Sequence, residues 1–302
     1  MEHAAPMTIR ICHLYPRLLS VAGDRGNLLA LTQRCAWRGI GTSVTEADAG
    51  VTPDFTEYDL ILLHGGQDCE MRVAARDLET KAGSLREAIE GDAVVLAVCA
   101  GYQLLAKYYA PADGAPIPGI GVLDAVTEGG SNRFMSHIAV ACDFGQGRQR
   151  TLVGFENHSG RTYLGPGAEP LGRVIAGSGN NGEDGTEGAR YREVYATYLH
   201  GPVLPKNPWL TDHLIATALQ HRYRDAGTLV SLQALEDETE TEAHTAALRL
   251  ACQPAGRLAR RRRAAAAARP RWWRAGSHRP GTGDQATGDD QAASRGMAWT
   301  SR

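Results

Sequence analysis

Between Ala93 and Leu105 the chain reads Ala-Val-Val-Leu-Ala-Val-Cys-Ala-Gly-Tyr-Gln-Leu-Leu. Its first six residues are apolar without alternation, which suits a strand buried on both faces, and Gln103 to Tyr109 suits a helix. Cys99 then stands at the carboxyl end of a central parallel strand, where open α/β sheets place their sites. A nucleophile on so sharp a turn needs small neighbours, because the helix crosses the strand closely and the turn residue is strained. Ala97, Ala100 and Gly101 meet that need. Unpaired N–H groups at a helix start also favour thiolate over thiol. An ordinary core cysteine is the other reading of a lone thiol, and the elbow by itself leaves both open.

Around this stretch the pattern is that of a mostly parallel, doubly wound α/β sheet. Strands are expected at Thr8–Leu14, Thr42–Thr45 and Tyr58–His64, with helices at Leu28–Trp37 and Met71–Glu90. Asp24 or Asn27 would cap the first helix. Gly65-Gly66-Gln67-Asp68 follows a strand, and glycines there let backbone N–H groups face a ligand. Two such turns at neighbouring strand ends can converge on one crevice.

Beyond the elbow, shorter strands are expected at Gly119–Leu123, Phe134–Cys142, Thr151–Glu156, Gly172–Ala176 and Arg192–Tyr198, as an antiparallel extension. Arg133 precedes one of them and His200 follows another. The polar run Gly177 to Asp184 has the composition of a calcium loop without its ligand register, and reads as a plain loop. A last core helix spans Asn207 to about Tyr223. The expected organisation is one domain over residues 7–223, an acidic helical extension over 224–250, and a disordered Arg/Ala/Gly/Pro-rich tail over 251–302, with eight arginines between Arg257 and Arg274.

A net charge of −2 gives no ground for a nucleic-acid or membrane partner of the whole chain. The six cysteines are scattered without metal-type spacing, and no apolar run approaches a membrane span. Both point to a reduced, cytoplasmic protein without a metal site.

Together these pieces resemble the class I glutamine amidotransferases, and within them the GatD branch, the glutaminase subunits of lipid II isoglutaminyl synthase, related to the cobyric acid synthase type. The resemblance covers about Ile9 to Tyr223. It rests on Gly23-Asp24-Arg25-Gly26-Asn27, Gly65-Gly66-Gln67-Asp68, Cys99-Ala100-Gly101-Tyr102-Gln103, Thr127-Glu128 with Asn132-Arg133, Gly154 through Thr162, Gly179-Asn180-Asn181, and Thr197 through Pro202 with Leu204-Pro205-Lys206-Asn207, in that order.

The resemblance implies Cys99 as nucleophile, His200 as general acid/base, Arg133 as the residue that binds the glutamine α-carboxylate, and backbone N–H groups of Gly65, Gly66 and Ala100 as oxyanion donors. It implies a Mur-ligase-like partner, MurT, in a heterodimer that amidates D-glutamate of the lipid II stem peptide. The chain has no phosphate loop of the Walker type, so no cofactor is expected in it and ATP and magnesium are expected in the partner. A subunit serving a corrinoid-type synthase and a catalytically inactive interaction module are the alternatives. Ala100 and His64 stand where the family usually has glycine. Pro202 stands where the wider class has a glutamate that orients the histidine, which leaves Glu156 or a carboxylate of the partner as candidates for that task.

Overall fold

A computed structural model describes residues 7–20, 24–144, 149–227 and 230–253. Gly23, and the tail from Pro254 onward, lie outside the described residues. The described elements are β1 (Thr8–Leu14), α1 (Arg25–Ala36), β2 (Gly41–Ala47), β3 (Leu60–Leu63), α2 (Asp68–Glu90), β4 (Val94–Val98), α3 (Ala100–Leu105), β5 (Tyr108–Ala110), β6 (Ile117–Pro118), β7 (Ala125–Cys142), β8 (Arg150–Leu164), β9 (Gly172–Ala176), β10 (Thr186–Glu187), β11 (Ala189–Tyr191), β12 (Val194–Thr197), β13 (Leu199–His200), α4 (Pro208–Arg222) and α5 (Glu238–Ala251).

The central sheet has the order β11-β12-β4-β3-β1-β2. All its pairs are parallel except β11 with β12. The uninterrupted apolar runs of β3 and β4 are explained by burial on both faces. Alternate residues divide between two cores. Ile61, Leu63, Val95 and Ala97 join Met71, Leu78 and Leu85 of α2. Leu60, Leu62, Val94 and Leu96 join Leu28 and Leu31 of α1 and Leu210 and Leu214 of α4. The sheet is therefore doubly wound, as the alternation of elements predicts.

Most antiparallel strands lie in a second sheet. It is built on the long β7–β8 pairing, with β9, β10, β5 and β6 along one path and β13 on β8. The chain leaves the central sheet at Thr197 and enters the second at Leu199, where His200 pairs with Phe155. That crossing over a single residue, Tyr198, sets His200 at the seam of the two sheets.

Two local expectations are corrected. Gly119–Leu123 is not a strand: the amides of Gly119, Ile120, Gly121 and Leu123 donate to carbonyls of Lys107, Leu104, Ala106 and Leu105, at and just after the end of α3, so the segment caps a helix instead of joining a ladder. The helix after Cys99 stops at Leu105, and Tyr108–Tyr109 pass into β5. A Cβ on Gly119 would stand 2.0 Å from the Ala106 carbonyl oxygen, so only glycine permits this crossing.

The acidic segment ahead of α5 is anchored to α1. Arg34 in the last turn of α1 is buried and bonds both Asp212 of α4 and Asp237, while Arg38 bonds Asp212.

Candidate active site

Cys99 joins β4 to α3 with φ 52 and ψ −103. Positive φ at a residue with a side chain costs about 1–3 kcal/mol and persists only where the surroundings enforce it. Here they do. The Cys99 amide donates to Thr197 O at 2.9 Å and the Gly101 amide to His64 O at 3.1 Å. A Cβ on Gly101 would lie 2.5 Å from Leu63 O, so the helix can cross β3 this closely only through glycine. Ala97 and Ala100 are buried beside the turn, and the half-buried Cys99 side chain faces a cavity of about 620 Å³.

His200 lines the same cavity. Its Nδ1–H donates to the Asp24 carboxylate, 3.1 Å from Oδ2 and 3.3 Å from Oδ1, which leaves Nε2 available to the cavity that it shares with Cys99. Burial opposes the imidazolium, but the charge of Cys99 and the hydrogen bonds from Asp24 and Cys99 outweigh it and raise the His200 pKa to about 10. Asp24 is fully buried and occupies the N-cap position of α1 without capping it. Its Oδ2 also accepts the Gly65 amide at 3.2 Å.

These contacts correct two expectations. The carboxylate that bonds Nδ1 of His200 is that of Asp24 and not that of Glu156. Glu156 is fully buried and accepts from Ser136 Oγ at 2.5 Å and from the amides of Ser178 and Gly179 at 3.0 Å. Gly65 is removed from the oxyanion donors, because Asp24 engages its amide. The amides of Gly66 and Ala100 make no hydrogen bond among the described residues. The Gly66 backbone is held close against Leu19, whose Cδ2 would be 2.3 Å from any added Cβ.

Arg133 also lines the cavity. It sits in the break of the β7–β8 ladder between Gly129 and Phe134, which turns its side chain out of the regular register. Its Nε donates to Asn157 Oδ1 at 2.6 Å and its Nη2 to Asn157 O at 3.2 Å, so the guanidinium is oriented before anything binds. Arg161 braces the bulge, donating to Asn132 O at 2.7 Å while its guanidinium lies 3.4 Å from the Phe134 ring centre. Cys99, His200 and Arg133 are thus brought together, with Asp24 behind the histidine.

The region from residue 10 to residue 208 matches the CobB/CobQ-like glutamine amidotransferase domain. The chain belongs to the CobB/CobQ-like glutamine amidotransferase family. It is 40% identical over 235 residues to the protein named lipid II isoglutaminyl synthase (glutamine-hydrolyzing) subunit GatD of Streptococcus pneumoniae, covering 77% of this chain and 87% of that one. The subunit of the same name from Staphylococcus aureus is 39% identical over 236 residues, with 78% and 93% covered. A cobyric acid synthase of Pelotomaculum thermopropionicum is 31% identical over 160 residues, covering 49% of this chain and 30% of that protein.

In this glutamine-hydrolysing amidotransferase the scattered motifs meet in one buried network under the elbow. Gln103 Nε2 donates to Tyr198 Oη at 3.1 Å, and that hydroxyl lies 2.6 Å from Thr162 Oγ1, which lies 2.8 Å from Thr127 Oγ1. His158 stacks on Tyr198 with ring centres 3.8 Å apart. Asn180 and Asn181 close their loop on Thr162, Asp184, Thr186 and Gly188, and so give Gly177–Asp184 an internal role. No group of residues able to hold a metal ion is found among the described residues. His64, at the amidotransferase glycine position, is buried with Nδ1 3.1 Å from His13 Nε2, and burial lowers its pKa to about 3, so it is a neutral filler.

Proposed function

We propose that this chain hydrolyses L-glutamine through Cys99, His200 and Asp24, with Arg133 on the substrate α-carboxylate, and passes the ammonia to a Mur-ligase-like partner of the MurT kind. The Cys99 thiolate adds to the side-chain amide carbon, and the amides of Gly66 and Ala100 hold the oxyanion. The His200 imidazolium donates its Nε2 proton to the leaving nitrogen, ammonia departs, and a thioester remains. Water then adds as His200 takes its proton, and the C–S bond breaks to release glutamate. Asp24 keeps Nδ1 protonated throughout, which fixes the tautomer and favours the imidazolium.

The observation that carries this reading is the Asp24–His200 hydrogen bond set beside Cys99 on a cavity that Arg133 also lines. The names of the relatives support lipid II amidation as the use of the ammonia, and their coverage over most of both chains favours it over a corrinoid-type synthase. In this proposal the partner holds ATP, magnesium and the D-glutamate acceptor in the cytoplasm. No described helix is long and apolar enough to cross a membrane. The test is glutamate release from L-glutamine by the purified chain, followed by lipid II amidation after co-expression with a Mur-ligase-like protein. Glutaminase activity without amidation keeps the site and rejects the partner; no glutamate release in either setting rejects both.

A further inference from the structure

Glutamine reaches the site as a zwitterion, and Arg133 answers only one of its two charges. Arg133 meets the α-carboxylate, while the α-ammonium on the same carbon needs an acceptor close by, since a charge brought into a crevice without a counter-charge is strongly disfavoured. Among the residues lining the cavity one carboxylate is present, that of Asp68. Asp24, the other acidic residue of the centre, is fully buried and occupied by His200 and the Gly65 amide.

Resting on the glutaminase reading above, we infer that Asp68 receives the α-ammonium of glutamine and selects amides that carry it. Asp68 is the first residue of α2, directly after the Gly65-Gly66-Gln67 turn. Its side chain is exposed and makes no hydrogen bond or ion pair among the described residues. Its backbone is held firmly: the Met71 amide donates to Gln67 O at 2.8 Å, α2 packs Met71, Ala74 and Leu78 into the core, and Gly66 is tight against Leu19. The carboxylate is therefore free to accept a cation while its backbone stays in place.

The surroundings point the same way. Asp68, Arg133, Cys99 and His200 line one and the same cavity, with Asn157 and Ser159 between them in its wall. Asp68 acts on binding and orientation and takes no part in proton transfer.

The experiment compares steady-state hydrolysis of L-glutamine and of 4-carbamoylbutanoate, which is glutamine without the α-amino group, by the full chain and its Asp68→Asn and Asp68→Glu variants. Asp68→Asn is expected to raise the KM for glutamine about 10–100-fold, the factor a charge-assisted hydrogen bond supports, with kcat little changed. Its kcat/KM for 4-carbamoylbutanoate should stay at the wild-type value, and Asp68→Glu should recover part of the glutamine KM. Equal losses on both substrates would assign Asp68 to holding the start of α2 and overturn the inference, as would no change on either. A wild-type chain that releases no glutamate overturns the glutaminase reading itself, and is distinguishable because it precedes any comparison of variants.

Discussion

Oδ2 of Asp24 lies 3.1 Å from Nδ1 of His200, and the same oxygen accepts the Gly65 amide at 3.2 Å. One buried carboxylate therefore holds both the imidazole and the glycine turn. The proline two residues after His200 is no deficiency, because the carboxylate arrives from the start of α1, 176 residues away in sequence. In the proposed mechanism the orienting carboxylate therefore comes from this chain itself.

Asp24→Asn should lower kcat for glutamine about 10²–10⁴-fold, the contribution of a positioned general acid/base. Its pH profile carries the sharper test. The His200 pKa is raised to about 10 with Asp24 among the causes, and the alkaline limb reports loss of the imidazolium proton. Removing the carboxylate lowers that pKa, so the limb must move to lower pH. An unmoved limb in a pH–rate measurement would separate Asp24 from His200.

Cys99→Ala should release no glutamate while remaining folded. Cys99→Gly should be equally inactive and more stable than Cys99→Ala by about 1 kcal/mol, because glycine accepts the positive φ that alanine resists. Chemical unfolding of the two variants measures the difference, and a less stable glycine variant would contradict the strain.

For Arg133→Lys, a rise in KM for glutamine of about 10–100-fold is expected with a smaller change in kcat. Lysine keeps the charge but cannot bond Asn157 Oδ1 and O while presenting a fork to a carboxylate. Unchanged kinetics would take Arg133 out of the site.

Glu156→Gln should act on stability. An amide retains one acceptor oxygen where the carboxylate serves Ser136, Ser178 and Gly179, so a loss of about 1–3 kcal/mol is expected in urea unfolding. The alkaline limb of the rate profile should stay in place. A shift equal to that of Asp24→Asn would restore Glu156 as an orienter.

What could be read from the sequence was local. The apolar run ending at Cys99, with its small neighbours, carries its own strand and turn, and β3, α2 and α4 follow from hydrophobic pattern. Asp24 looked like a cap because its position before α1 is that of a cap, and nothing in a linear pattern shows a carboxylate turned away to a histidine in a distant strand. Glu156 sits in the polar stretch nearest His200 in the ladder, yet its donors come from Ser136 and the Ser178–Gly179 turn. The division into two sheets was hidden for a similar reason: the crossing occupies one residue between β12 and β13 and leaves no turn signal.

The Arg34 clamp bears on where this protein can be cut. The family match stops at residue 208, yet Asp212 and Asp237 lie beyond it and neutralise a guanidinium that is 3% exposed. A shortened gene product ending at that boundary would lose both carboxylates that hold Arg34, together with Leu210 and Leu214 of α4, which pack with Leu28 and Leu31 on the helix whose other end holds Asp24. The packed unit thus runs past the recognisable family region, and its carboxyl-terminal helices are fastened to the same helix whose start carries Asp24.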